Sequence, residues 1–187
     1  MTMFIKHETL IPGFYELRPK VFSDERGFLI KVFQHHAYED LNLNTIWHDD
    51  FYSVSKKGVL RGMHFQLPPF EQTKSVCCIN GEVLDVVVDL RIGSSMFGKS
   101  ASLILSGRVG NIAYIAAGLA HGFYVLSETA TLYYKTSKIY NPQADSGIRW
   151  DSFGFNWPLN LPFISLRDQG LEKMHEFRSP FIFNENQ

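Results

Sequence analysis

The chain has 187 residues, 45% of them hydrophobic and 20% charged, the balance of a folded globular protein large enough for a real core. A formal net charge of -1 excludes the basic excess expected of a general nucleic-acid or membrane-surface binder. The opening MTMFIKHETL lacks the apolar core of a signal peptide, and no apolar run approaches a membrane span. The expectation is one domain over 1–187, cytoplasmic, with no nucleic-acid or membrane partner.

In chain order, "HHAYEDLNLN" (35–44) has the residues of a short helix. "GVLRGMHFQ" (58–66) follows, where Val59, Leu60, Met63 and Phe65 suit a buried strand but Arg61 and His64 interrupt it. A buried strand rarely holds a guanidinium and an imidazole without partners. In "KSVCCINGEVLDVVVDLRIG", Asn80-Gly81 predicts a hairpin between two apolar runs. Adjacent Cys77 and Cys78 point to opposite faces of the first run, which argues against a disulfide between them. In the second run Glu82, Leu84, Val86, Val88 and Leu90 share one face, and Val83, Asp85, Val87, Asp89 and Arg91 the other. "SASLILS", "NIAYIAA", "HGFYVLS" and "TATLYYKTS" read as further strands, and "LRDQGLEKMHEF" as a tail with a short helix. Short strands at regular spacing with turn signals between them predict an all-β fold, a sandwich or jelly-roll barrel with peripheral helical pieces.

Three polar positions, His64, Asp85 and His121, interrupt strand-like segments, with Arg61 and Lys74 close to them in strand order. A single strand histidine is an ordinary core or surface residue. Several inward polar groups in a jelly roll instead require a ligand or one another. A metal is the first candidate ligand, because "GLAHGF" carries the Gly-x-x-His spacing of the second metal motif of cupin barrels. The first motif, normally His-x-His, reads His64-Phe65-Gln66 here. Two histidines and a neutral amide are a poor set for a divalent transition metal, so a metal-free barrel is expected.

His, Asp, Lys and Tyr without a metal suit proton transfer next to a ketone. Histidine is the natural base, lysine can hold the oxygen that becomes an enolate, and tyrosine can return a proton from the opposite face. Tyr133, Tyr134 and Tyr140 are all available in "TLYYKTSKIYNP", and alternation alone does not choose among them.

The segments "DERGFL", "GVLRGMHFQ", "QTKSV", "GEVLDVVVDLR", "GSSMFGK", "GLAHGFYVLSE", "YYKTSKIYNP", "GIRWDS", "NWPL" and "SLRD", in that order, resemble the dTDP-4-dehydrorhamnose 3,5-epimerase family of cupin nucleotide-sugar epimerases. The resemblance implies a jelly-roll fold, a homodimer, and no metal or organic cofactor. It places His64 as base, Asp168 as its partner and Tyr134 as proton donor. It places Lys74 and His121 around the sugar, with Asp85 paired to His121, and Arg61 and Arg26 on the diphosphate. Ser53, Tyr140, Asp145 and Arg167 complete the implied substrate contacts. The implied activity is C5 or C3 inversion of a nucleoside-diphosphate 4-keto-6-deoxyhexose, in deoxysugar and O-antigen-type polysaccharide synthesis.

Departures from the family pattern gather on the nucleoside side. The usual Arg-Gly-x-Phe-x-Glu ends here in Lys31, the usual Gln-x-Asn-x-Ser is Asp49-Asp50-Phe51-Tyr52-Ser53, and the glutamate after Y-x-P is Asp145. Lys31 puts a donor where the family has an acceptor, and Asp49 an acceptor-only group where it has an amide, a reversal that would suit a cytosine edge, so CDP stands beside dTDP as the expected nucleotide. Two other readings remain: a cupin 3,4-ketoisomerase, and a non-catalytic sugar-nucleotide or metal-binding cupin.

Overall fold

The structure is a computed structural model, and it describes residues 2–158 and 162–184. Thirteen strands form three antiparallel sheets among the described residues. The first is built from β1 (Phe4–Glu8), β2 (Phe14–Pro19), β10 (Ile112–Ile115), β7 (Lys74–Asn80), β12 (Thr129–Thr136) and β5 (Asp49–Lys56), in that order. The second runs β13 (Asp145–Gly147), β6 (Leu60–Gln66), β11 (Leu119–Val125), β8 (Glu82–Asp89) and β9 (Ser100–Ser106). The third is a small hairpin of β3 (Val21–Asp24) and β4 (Gly27–Ile30). The two large sheets face one another as a cupin-like jelly roll. No helix among the described residues is long and apolar enough to cross a membrane.

Alternation fills the space between the sheets. Val76, Cys78, Leu132, Tyr134 and Ile115 from the first sheet meet Val83, Val87, Leu105 and Phe123 from the second, all nearly devoid of solvent contact. Each such aliphatic side chain contributes roughly 1.5–3 kcal/mol of burial. The other face of β8 is covered as well: Val86 and Val88 pack beneath Phe153, Phe155, Trp157 and Phe181 from the C-terminal segments. That second layer explains why β8 reads as an almost unbroken apolar run.

The Asn80-Gly81 hairpin expected from sequence is not formed. β7 pairs with β10 and β12, whereas β8 pairs with β11 and β9, so the turn is an arch from one sheet to the other. Gly81 sits at φ +84, where a Cβ would meet the Thr129 carbonyl oxygen at 2.1 Å, so the tight arch requires glycine. The 35–44 helix shrinks to α1 (His35–Glu39), followed by turns; Tyr38 anchors it against Phe4, Phe33 and Trp47. In the tail, α2 (Leu166–Gln169) is capped by Ser165, whose hydroxyl accepts the Asp168 backbone N–H.

Candidate active site

Arg61 and His64 are three residues apart, a spacing that would place them on opposite faces of a regular strand. They nevertheless line the same cleft. The cause is a register shift in the β6–β11 ladder: His64 pairs with His121 and Arg61 with Phe123, so four residues of β6 face three of β11. Gly62 lies within the irregular stretch at φ +137, with Gly122 so close that a Cβ would come within 2.5 Å of its Cα. The bulge turns both polar side chains toward the space between the sheets.

The cleft encloses about 580 Å³, within the usual range for small-molecule sites. His64 Nε2 and Asp168 Oδ1 are 2.8 Å apart, and Asp168 Oδ2 accepts the Gly62 backbone N–H at 3.1 Å. Asp168 is buried behind the imidazole rather than in the cleft. Burial alone would raise its pKa, but the bonds from His64 and Gly62 outweigh it and hold the carboxyl below its ordinary value. With Nε2 committed to Asp168, the other ring nitrogen has no partner among the described residues and is available as a base.

His121 forms a second pair, its Nε2 2.7 Å from Asp85 Oδ2, with both side chains buried. Lys74 comes from β7 on the facing sheet and donates to the His64 carbonyl at 3.3 Å. Loss of water around its amine lowers its pKa to about 8, against the opposing pull of Asp145 and Asp85. Tyr134, on β12, projects into the cleft from the same sheet as Lys74 and opposite His64. Burial raises its phenol well above the ordinary tyrosine value, which keeps it protonated. Tyr133 points the other way and donates to Asp50 outside the cleft.

At the rim, Arg61 donates from Nε to Ser55, Arg167 pairs with Asp145 at 2.7 Å, and Tyr140 donates to the same carboxylate at 3.1 Å. Asp49 and Ser53 also line the cleft. Between them Phe51, which sequence reading marked only as a departure, joins the lining because it shares their strand face. Gln72 and Thr136 also line the cleft; they fall within the segments "QTKSV" and "YYKTSKIYNP", which gave neither of them a role.

Two expected substrate contacts are not brought in by this chain. Arg26 is at the tip of the β3–β4 hairpin, exposed and paired with Asp24 at 2.6 Å, and Lys31 is exposed just after β4. Neither lines the cleft. Lys31 and Asp49 form no ion pair with one another.

A metal has little to bind in the cleft. Both histidines direct Nε2 at a carboxylate, and Gln66 uses both ends of its amide, donating to the Phe70 carbonyl and accepting the Asn141 N–H. Among the described residues, the one cluster of three His, Cys, Asp or Glu side chains with metal-ligand spacing is His35, His36 and Glu39, exposed on α1 and outside the cleft.

The family model for dTDP-4-dehydrorhamnose 3,5-epimerase matches residues 8–176. A dTDP-4-dehydrorhamnose 3,5-epimerase of Shigella flexneri is 42% identical over 164 residues, which cover 86% of this chain and 91% of that protein. A crystal structure of a dTDP-6-deoxy-D-glucose-3,5-epimerase from Legionella pneumophila, in complex with dTDP-4-keto-L-rhamnose, superposes with a TM-score of 0.92 at 35% identity, covering 97% of this chain and 99% of that one. A 3'-monoepimerase from Streptomyces bikiniensis, in complex with dTDP-quinovose, gives 0.86 at 31% identity and covers 91% and 88% of the two chains.

Proposed function

This chain belongs to the dTDP-4-dehydrorhamnose 3,5-epimerase family, and we propose that it inverts its sugar with His64 as base and Tyr134 as acid on opposite walls of one cleft. It is an isomerase acting on nucleoside-diphosphate 4-keto-6-deoxyhexoses in deoxysugar biosynthesis. The observation that carries the residue assignment is the placement of His64 on β6 and Tyr134 on β12, in facing sheets. Inversion requires removal of a proton from one face of the ring and delivery to the other.

The carbon beside the C4 ketone loses its proton to the free ring nitrogen of His64, and the C–H electron pair moves into an enolate. Asp168 balances the positive charge that the imidazole gains. Lys74 stabilises the charge on the C4 oxygen. The Tyr134 phenol then gives its proton to the carbon from the other side and becomes a phenolate; the His64 imidazolium releases its proton to solvent and the phenolate takes one up, which restores both groups with no net proton change. Arg61 and Arg167 suit the diphosphate, and His121, held by Asp85, suits a sugar hydroxyl. No step uses a metal or an organic cofactor.

The unit we propose is a homodimer, with the chain acting as one domain in the cytoplasm. Val21, Phe22, Phe28 and Leu29 of the β3–β4 hairpin are exposed, as are Tyr52 and Val54 on edge strand β5. Two such apolar surfaces favour docking of a second copy. The hairpin of one subunit would then carry Arg26 and Lys31 to the cleft of the other.

The nucleotide we infer is dTDP, the nucleotide bound by the two relatives of known structure. A carboxylate at Asp49 can accept the N3–H of thymine. CDP is the second reading, because the same carboxylate also accepts the cytosine amino group. Dissociation constants for dTDP and CDP measured side by side decide it, tenfold tighter CDP binding reversing the order. His64→Asn tests the catalytic assignment: it should lose about 10²–10⁴-fold in solvent-deuterium exchange. Exchange above a tenth of wild type would remove His64 as the base.

A further inference from the structure

We propose that Phe51 is a positioning residue for proton return: it holds the Tyr134 phenol so that the enolate is quenched on the new face rather than the old one. The proposal rests on Tyr134 being the acid.

Phe51 and Tyr134 are direct cross-strand partners in the β5–β12 ladder. Their rings are stacked, with centroids 4.7 Å apart and planes 13° from parallel. His121 meets the Tyr134 ring closer to edge-on, at 6.4 Å and 67°. The phenol ring is therefore confined by Phe51 and by a histidine that Asp85 holds in place. Tyr134 is 7% exposed and Phe51 48% exposed, so Phe51 is the side chain between the phenol and the open end of the cleft. Among the described residues β5 is an edge strand of its sheet, and no further strand of this chain stands beyond Phe51 to take over the contact. The sequence departs from the family pattern at this position, where the usual residue is asparagine, a side chain too short to cover a phenol face.

Stacking restricts the ring tilt that would carry the hydroxyl away from the sugar carbon, and excludes water from that flank. Proton return forms a C–H bond with the enolate electron pair and breaks the phenol O–H bond, leaving a phenolate. The competing event is return of the proton from the His64 imidazolium to the original face. That route restores the starting configuration and, in D2O, leaves deuterium there once the imidazolium has exchanged. Loosening Tyr134 slows the first route and leaves the second untouched.

The test measures, in D2O, the ratio of deuterium incorporated with retention to deuterium incorporated with inversion, for wild type, Phe51→Ala, Phe51→Leu, Phe51→Tyr and Tyr134→Phe. Phe51→Ala should raise the ratio about two- to tenfold, the preference expected of one stacked pair. The ratio compares two fates of one common enolate, so any change in KM that follows from the place of Phe51 in the cleft lining does not enter it. Phe51→Tyr keeps the stacked face and should restore the wild-type ratio. Phe51→Leu keeps bulk without a flat face and carries the measurement if the alanine variant does not fold. An unchanged ratio with raised KM, or equal loss of both routes, overturns the proposal and makes Phe51 a binding-surface residue. If Tyr134→Phe inverts at the wild-type rate, the acid assignment itself falls. If it loses inversion while the Phe51 variants keep the wild-type ratio, only the positioning role falls.

Discussion

Asp168→Asn is the substitution whose effect follows most directly from the hydrogen bonds at the site. Both carboxylate oxygens are in use, Oδ1 facing His64 Nε2 at 2.8 Å and Oδ2 accepting the Gly62 N–H at 3.1 Å. An amide has one acceptor and one donor end. The backbone N–H cannot change its role, so the amide oxygen must face Gly62 and the amide nitrogen must face His64. That arrangement makes Nε2 an acceptor and moves the ring proton to Nδ1, the nitrogen that should receive the substrate proton. The fold should survive, because Ser165 bonds the Asp168 backbone rather than its side chain. Both hydrogen bonds remain but become neutral, so the local loss is the difference between charge-assisted and neutral bonds, roughly 1–1.5 kcal/mol each. Activity should fall as far as loss of the base itself, about 10²–10⁴-fold. Asp168→Ala leaves the tautomer free and should be milder than Asp168→Asn. The assay is solvent-deuterium exchange into the sugar, followed by NMR alongside a thermal melt. An asparagine variant that keeps a tenth of wild-type exchange, or that outperforms alanine, would refute the tautomer argument.

Tyr134→Phe should still exchange the proton on the original face while losing inversion, whereas Tyr133→Phe should be nearly silent; comparison of NMR spectra separates the two. Lys74, with its pKa lowered to about 8, is cationic below that value and neutral above it. The rate of enolate formation should therefore decline as pH rises through about 8, and a rate that keeps rising to pH 10 would remove Lys74 from the oxygen. Prolonged dialysis against EDTA should leave the rate unchanged, checked by elemental analysis of the dialysed protein.

The strands from β6 to β12 were legible because apolar runs and turn residues mark them plainly. Their pairing was less so. Asn80-Gly81 has the composition of a hairpin turn, but a local turn signal carries no information about which sheet receives the next strand. The R-G-x-H spacing was readable as chemistry and misleading as geometry. Alternation separates Arg61 from His64, and only the shifted ladder opposite Gly122 reunites them. The two His–carboxylate pairs join residues 104 and 36 positions apart, a proximity no periodicity encodes. Family resemblance supplied those pairings. Resemblance could not show that Arg26 and Lys31 stand outside their own chain's cleft, nor that Phe51 would lie flat against Tyr134.

Inversion beside a C4 ketone by a base and an acid on opposite walls leaves a solvent label on the inverted carbon. Wild-type protein is incubated in D2O with a dTDP-linked and a CDP-linked 4-keto-6-deoxyhexose, and the position and configuration of the deuterium are read by NMR. Deuterium should appear at C3, C5 or both with inverted configuration, and the ketone should remain at C4. A ketone moved to C3, or no deuterium with either sugar, would contradict that inversion.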